Sequence, residues 1–200
     1  MIIKIVYIVL SYLCGSIPFA YIFTKAFAGV DIRTVGSGNP GTTNVFRAAG
    51  KKVGSITFVA DVLKGFVPVF FAVYIDPSFI FAALIALTVI GGHMFTIFLN
   101  FKGGKGVATA LGAFLALLPL PSIIAAGVFA IVFLSSGIVA LGSMCAAIAL
   151  VIAAIIFAVG IEGIIFAAIV ALIVIYKHKS NIKRIANGTE NKFNVFGKKK

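Results

Sequence analysis

The run VALGSMCAAIALVIAAIIFAV, residues 139–159, contains no charged side chain. It is long enough to cross a bilayer, because about 30 Å of hydrocarbon takes about 20 helical residues. Working outward from it, the same character recurs at residues 2–23, 53–75, 79–99, 106–118, 121–136 and 161–176. The 200-residue chain is 62% hydrophobic and 11% charged, against about 45 to 50% and about 25% in an ordinary soluble domain. The expectation is an all-α integral membrane protein with seven transmembrane helices, a single membrane-embedded domain over residues 1–200. The segments 106–118 and 121–136 are short enough to be tilted, kinked or incompletely spanning, and a six-helix version would fuse or hide one segment near SSGIVALGS. The first run is too long for a signal-peptide core and reads as a retained helix. Ser16 and Pro18 predict a break or bend within it.

Charge placement gives an independent test of the topology, because Lys and Arg concentrate in cytoplasmic loops. The chain carries 17 Lys and Arg against 5 Asp and Glu, a net charge of +12. Lys25, Arg33, Arg47, Lys51 and Lys52 fall in the first connection, Lys102 and Lys105 in the third, and eight more in the tail, residues 177–200. The other side holds Lys4 beside Asp76 and Glu162. This predicts an amino terminus outside and a carboxyl terminus in the cytoplasm. The closing GKKK reads as a solvated or lipid-facing basic tail. Cys14 and Cys145 sit in apolar runs without Cys or His at ligand spacing, so neither a disulfide framework nor a zinc site is expected.

The unusual sequence lies on the basic side. In GSGNPGTTNVFR, residues 36–47, glycines allow successive N–H groups to converge on one anion. Ser37, Asn39, Thr42, Thr43 and Asn44 add neutral donors, and Arg47 offers a bidentate fork for phosphate or carboxylate. In GGHMFTIFLNFKGGKGVAT, residues 91–109, KGGKG opens a helix whose amino end attracts anions, with Lys102 and Lys105 adding full charges. The GGKG piece fails the nucleotide P-loop spacing, since Gly106 follows Lys105 and no strand precedes it. In YKHKSNIKRIANGTE, residues 176–190, a continuing helix would put His178, Asn181 and Arg184 near one face, and an amphipathic interfacial helix is the plainer alternative.

Asp61 and Lys64, at i, i+3 inside the second apolar segment, are expected to form a structural ion pair supporting the site. His93 is either a general base or a histidine bonded to a backbone carbonyl that holds its loop. There is no His-x-x-x-x-Asp pair, because Phe98 stands five residues beyond His93. Carboxylates on the basic side are too sparse for a magnesium cluster. A site rich in anion donors suits a substrate that already carries an activated leaving group, which the protein mainly aligns and neutralises.

Taken in order, GSIPFAY, GSGNPGTTNVFR, GGHMFTIFLNFKGGKGVAT and KHKSNIKRIANGTE resemble the cytoplasmic motifs of the bacterial acyl-phosphate-dependent glycerol-3-phosphate acyltransferases. The resemblance implies transfer of a fatty acyl group from acyl phosphate to the 1-hydroxyl of glycerol-3-phosphate, giving lysophosphatidic acid and phosphate as the first step of phospholipid synthesis. It further implies a multi-pass protein of the bacterial cytoplasmic membrane with an inward-facing site and no metal or other cofactor. Its partners would be the two substrates and membrane lipids, without nucleic acid, and a monomer is plausible. Ala20 and Ser180 stand where the family often has glycine and glutamate.

On this resemblance Ser37, Gly38, Asn39, Thr42, Thr43, Asn44, Gly103, Gly104 and Lys105 bind the acyl phosphate. Arg47, Lys105, His178 and Asn181 bind glycerol-3-phosphate, and Ser37, Arg47, His93 and Lys105 are the catalytic candidates. Ser37 is expected to donate to the developing oxyanion rather than act as nucleophile, because no His–Asp pair is visible to activate it. The hydroxyl proton goes either to His93 or to a substrate phosphate, whose second pKa is about 6. A transporter or flippase for an anionic lipid also fits the apolar helices, but its binding groups would extend towards the midplane. A purely structural membrane subunit leaves the two donor loops without a purpose.

Overall fold

The computed structural model describes residues 1–194; the GKKK tail lies outside the described residues. Among these the protein is all-helical. It forms two compact units, Met1–Leu117 and a second from Leu118 on. The first contains α1 (Ile2–Ser16), α2 (Phe19–Ala28), α3 (Thr42–Ala72), α4 (Phe79–Met94), a 3-10 turn at Ile97–Leu99 and α5 (Val107–Leu117). The second contains α6 (Pro119–Ser136), α7 (Val139–Ile156), α8 (Ile161–Lys177) and α9 (Lys179–Ala186).

The expected break in the first apolar segment falls at Ile17 and Pro18, between α1 and α2. A break in apolar surroundings exposes backbone groups that need partners. Here Thr96 Oγ1 donates to Ser16 O at 2.6 Å and Lys64 Nζ donates to Ile17 O at 2.8 Å. Pro68 inside α3 leaves the Lys64 carbonyl without its helical donor, and Cys14 Sγ lies 3.9 Å from that oxygen. The sequence expects the second helix to begin at residue 53. The stretch α3 is two helices joined at Gly50, where φ is 79° and ψ is −177°: the apolar one starts just after Gly50, close to the expected place, and a short polar one from Thr42 precedes it.

Without a strong hydrophobic force between helices in lipid, close packing rests on small residues. A Cβ on Gly15 would strike the Val89 backbone and one on Gly92 would strike Tyr12 O, so α1 and α4 cross at backbone contact. Gly65 against Thr109 O and Gly112 against Val62 O do the same for α3 and α5. The large side chains Val59, Leu63, Val67 and Phe70 are turned outwards on α3, as are Ile148, Ile152 and Ile155 on α7. Near the amino end of α1, Lys4 pairs with Asp76, which also accepts from Ser78 N.

In the second unit α6 ends at Gly137 with φ 71°. Phe129 packs over Gly142 where α6 meets α7, and Phe193 N donates to Gly137 O at 2.8 Å. Each of the seven apolar segments contains a helix, yet their lengths differ from the expectation. Among the described residues, five helical stretches are long and apolar enough to cross a membrane, or six if α8 and α9, bent by 58°, count as one. The seventh, α5, has 11 residues and measures about 16 Å at the α-helical rise.

Candidate active site

The connection between α2 and α3 turns on two left-handed glycines, Gly36 at φ 58° and Gly38 at φ 68°. Ser37 is exposed, and its Oγ accepts from Asn39 N at 3.5 Å. Asn44 differs from the reading that made it a ligand. It is 1% exposed and its amide is taken up by the loop itself: Oδ1 accepts from Ser37 N at 3.0 Å, and Nδ2 donates to Ile32 O at 3.1 Å and Val35 O at 2.9 Å. Asn44 is therefore the clamp that shapes the loop. Asn39, Thr42, Thr43 and Arg47 are half-buried along the same stretch. Beside it, Arg33 donates to both Asp31 oxygens at 2.6 to 3.1 Å and lies 5.0 Å from the Tyr21 ring centroid. The side-chain hydrogen bond from Arg33 holds the Asp31 carboxyl at about 2.

The second motif follows the end of α4. Asn100 and Phe101 both have positive φ, 51° and 60°, and turn the chain back. Gly103 N then donates to Met94 O and Gly104 N to His93 O, each at 3.2 Å. These two N–H groups thereby satisfy orphan carbonyls at the end of α4. Glycine is required at both places, since a Cβ at residue 103 would meet His93 O and one at residue 104 would meet the His93 ring. Helix α5 begins at Val107, just past Gly106 at φ 79°. Its first N–H groups, lacking intrahelical acceptors by geometry, and half-buried Lys105 remain the donors of this motif.

The two motifs meet. Pro40 of the first loop and Gly103 and Gly104 of the second line one small cavity, floored by Asp61, Lys64 and His93. Asp61 is 1% and Lys64 5% exposed, and the expected ion pair between them forms at 2.8 Å. His93 is 7% exposed, with Nδ1 3.6 Å from the same Asp61 oxygen. Thr42 Oγ1 lies 3.4 Å from the other oxygen. Sequence reading finds no His–Asp pair, yet Asp61 and His93 form one across two helices. No local spacing announces it. Ser37 is not among the residues lining this cavity.

In the second unit the continuing helix expected through residues 176–190 is broken at His178, which separates α8 from α9. His178 is 3% exposed and its Nδ1 donates to Val174 O at 2.8 Å, which places that ring proton on Nδ1. Asn181 Nδ2 and Arg184 Nε bind the two oxygens of Glu190 at 3.1 and 2.8 Å. Glu190 thus ties the tail to α9, a role the sequence does not assign. Among the described residues no group of three or more His, Cys, Asp or Glu is placed to hold a metal ion.

A family profile described as glycerol-3-phosphate acyltransferase matches residues 5–188. A glycerol-3-phosphate acyltransferase of Endomicrobium trichonymphae is 54% identical over 199 residues, covering 100% of both chains. One from Geotalea daltonii is 44% identical over 195 residues, 95% of this chain and 97% of the relative. The crystal structure of PlsY (YgiH), an integral membrane glycerol 3-phosphate acyltransferase, in its glycerol 3-phosphate form has a TM-score of 0.91 at 38% identity, covering 96% of each chain. Its lysophosphatidic acid form gives 0.88 at 36%. The ordered polar motifs, the all-helical integral membrane fold and these full-length similarities agree: the chain belongs to the glycerol-3-phosphate acyltransferase family.

Proposed function

We propose that this acyltransferase uses acyl phosphate as its donor, moving the fatty acyl group to the 1-hydroxyl of glycerol-3-phosphate and releasing lysophosphatidic acid and inorganic phosphate, the first step of phospholipid synthesis. The observation that supports the reading is the approach of the two loops that carry the donors: Pro40 of one and Gly103 and Gly104 of the other line a single cavity beside Asp61, Lys64 and His93. An acyl phosphate already contains its leaving group, so the protein needs mainly to align and neutralise it.

The 1-hydroxyl oxygen attacks the acyl carbon, the bond from that carbon to the phosphate oxygen breaks, and phosphate leaves with the electron pair. Ser37, Gly38, Asn39, Thr42 and Thr43, with Lys105 and the start of α5, hold the departing phosphate. Asn44, Gly103 and Gly104 shape the loops that do so. Arg47 and Lys105 offset the charge of the anionic substrates, and His178 and Asn181 bind glycerol-3-phosphate. With Nδ1 towards Asp61 and its ring against Gly104, His93 serves as support, and the hydroxyl proton passes to a substrate phosphate, whose second pKa is about 6. The remaining parts of the reading are a single 1–200 domain with seven spans, amino terminus outside, and an active site facing the cytoplasm of a bacterial inner membrane. It works among membrane lipids without a cofactor, and a monomer suffices for this reading.

The test is phosphate release from palmitoyl phosphate by the purified protein in detergent, with and without glycerol-3-phosphate. Release that depends on glycerol-3-phosphate, with lysophosphatidic acid formed in step, is the expected result. A folded protein that acylates glycerol-3-phosphate only from a thioester donor overturns it.

A further inference from the structure

The carboxylate of Asp61 is contacted from α3, on both sides of its break at Gly50, and from α4. Lys64 of its own helix sits 2.8 Å from Oδ1 and also donates to Ile17 O, the carbonyl opened by the break between α1 and α2. His93, on the last turn of α4, approaches the same oxygen to 3.6 Å. Thr42, the first residue of α3, reaches Oδ2 at 3.4 Å. The last two contacts matter most, because each belongs to one of the two donor motifs. Thr42 begins the helix that follows the 36–41 loop. His93 carries the carbonyl that accepts from Gly104 and the ring against which Gly104 rests.

We propose that Asp61 is a positioning residue of the acyl transfer: through Thr42 and His93 it holds the two donor motifs at a fixed separation around the phosphate that leaves. The inference rests on the donor reading above. Lys64 gives the buried carboxylate its counter-charge at 2.8 Å, since an unpaired buried charge is strongly disfavoured. The charged and titratable groups lining the cavity are Asp61 and Lys64 from α3 and His93 from α4; the α1–α2 break and the glycine loop line it with uncharged groups. The proposal does not need Asp61 to touch substrate.

The experiment compares Asp61→Asn, the neutral-pair variant Asp61→Asn with Lys64→Met, and Thr42→Val. Turnover, KM for glycerol-3-phosphate and the inhibition constant of inorganic phosphate are measured for each. Inorganic phosphate is the probe because it is the product that the two motifs are read to hold. Displacing a motif by a fraction of an ångström is expected to lower turnover by about tenfold to a hundredfold. The phosphate inhibition constant should rise by about tenfold while KM for glycerol-3-phosphate stays within about twofold. Loss of folded protein alone would lower turnover and leave both constants in place, so the phosphate constant separates positioning from stability. His93→Gln should raise the same constant, and combining it with Asp61→Asn should add nothing further.

Unchanged phosphate inhibition in the neutral-pair variant overturns the proposal, as do independent, multiplying effects of Asp61 and His93. If Asp61→Asn fails to fold because Lys64 is left unpaired, the neutral-pair variant, alone and combined with His93→Gln, decides. A wild-type protein that releases no phosphate from acyl phosphate would instead overturn the donor reading, so the two failures are distinguishable.

Discussion

Lys64 Nζ lies 2.8 Å from the carbonyl oxygen of Ile17, the residue at which the first apolar segment breaks. One ammonium therefore satisfies a freed backbone acceptor, neutralises Asp61 at 2.8 Å, and sits 5.5 Å from the Phe19 ring centroid. Lys64→Met removes all three and leaves a buried carboxylate without its counter-charge. Breaking a buried pair from one side costs about 3 to 5 kcal/mol. The expected outcome is a large fall in thermal midpoint in detergent, most of it restored when Asp61→Asn is added. Equal destabilisation of the single and double variants would show that the pair is not coupled.

The crossing of α3 and α5 depends on glycine at Gly65 and Gly112, where an added Cβ meets backbone that cannot yield. Each alanine substitution is expected to destabilise by about 1 to 3 kcal/mol, the range for overpacking. Gly91 has nothing within 4 Å of its would-be Cβ, so Gly91→Ala is the control and should leave the thermal midpoint within a degree or two, about 0.5 kcal/mol. Matching losses at all three sites would argue against the tight crossing.

Gly50 tests backbone conformation without steric crowding. Its φ of 79° with ψ of −177° is a region open essentially to glycine alone, and nothing lies within 4 Å of its would-be Cβ. Gly50→Ala should cost about 1 to 3 kcal/mol through strain alone. Chemical denaturation at constant m-value reads that loss.

Asn44→Asp keeps the acceptor for Ser37 N and removes the two donors to Ile32 O and Val35 O. Buried polar groups left without partners cost about 1 to 3 kcal/mol each. The loop should open to limited proteolysis within residues 32–41 and acyl transfer should fall, while the helices keep their far-UV signal. A variant with wild-type protease resistance would remove the clamp from the account.

Asp31 gives a pH prediction with a definite sign. The Arg33 side chain holds its carboxyl at about 2, below the ordinary 3.8. A folded-state value below the unfolded one contributes stability that is fully present above the unfolded value and is lost as pH falls through the folded one. The difference in thermal midpoint between wild type and Asp31→Asn should therefore be constant from pH 8 to 5, shrink below about pH 4 and be lost only once the pH has fallen below about 2. A difference that changed between pH 6 and 8 would point to another group.

Much of the fold is legible in the chain because lipid imposes a single demand, that apolar side chains face outwards and backbone groups pair along helices. Every apolar segment contains a helix, and Ser16 and Pro18 mark a real interruption. The break at Gly50 is not legible, since glycine is common in membrane helices, and at His178 the change from an apolar run to Lys177, His178 and Lys179 marks where the span ends but not that the helix bends there. The donor motifs are legible as compositions. Their division of labour is not, because Gly103, Gly104 and Asn44 spend their hydrogen bonds on backbone that becomes a neighbour only after folding.

By itself, then, the sequence determined the membrane class, the polar motifs and the family, since these depend on residue type and order along the chain. Only the tertiary structure decided that Asp61, His93 and Thr42 share one carboxylate, and that Lys64 closes the break at Ile17. The physical reason is that helical periodicity sets which face a residue occupies within its own helix. Which faces then meet is chosen by glycine contacts between helices and by the need to pair every charge and carbonyl removed from water.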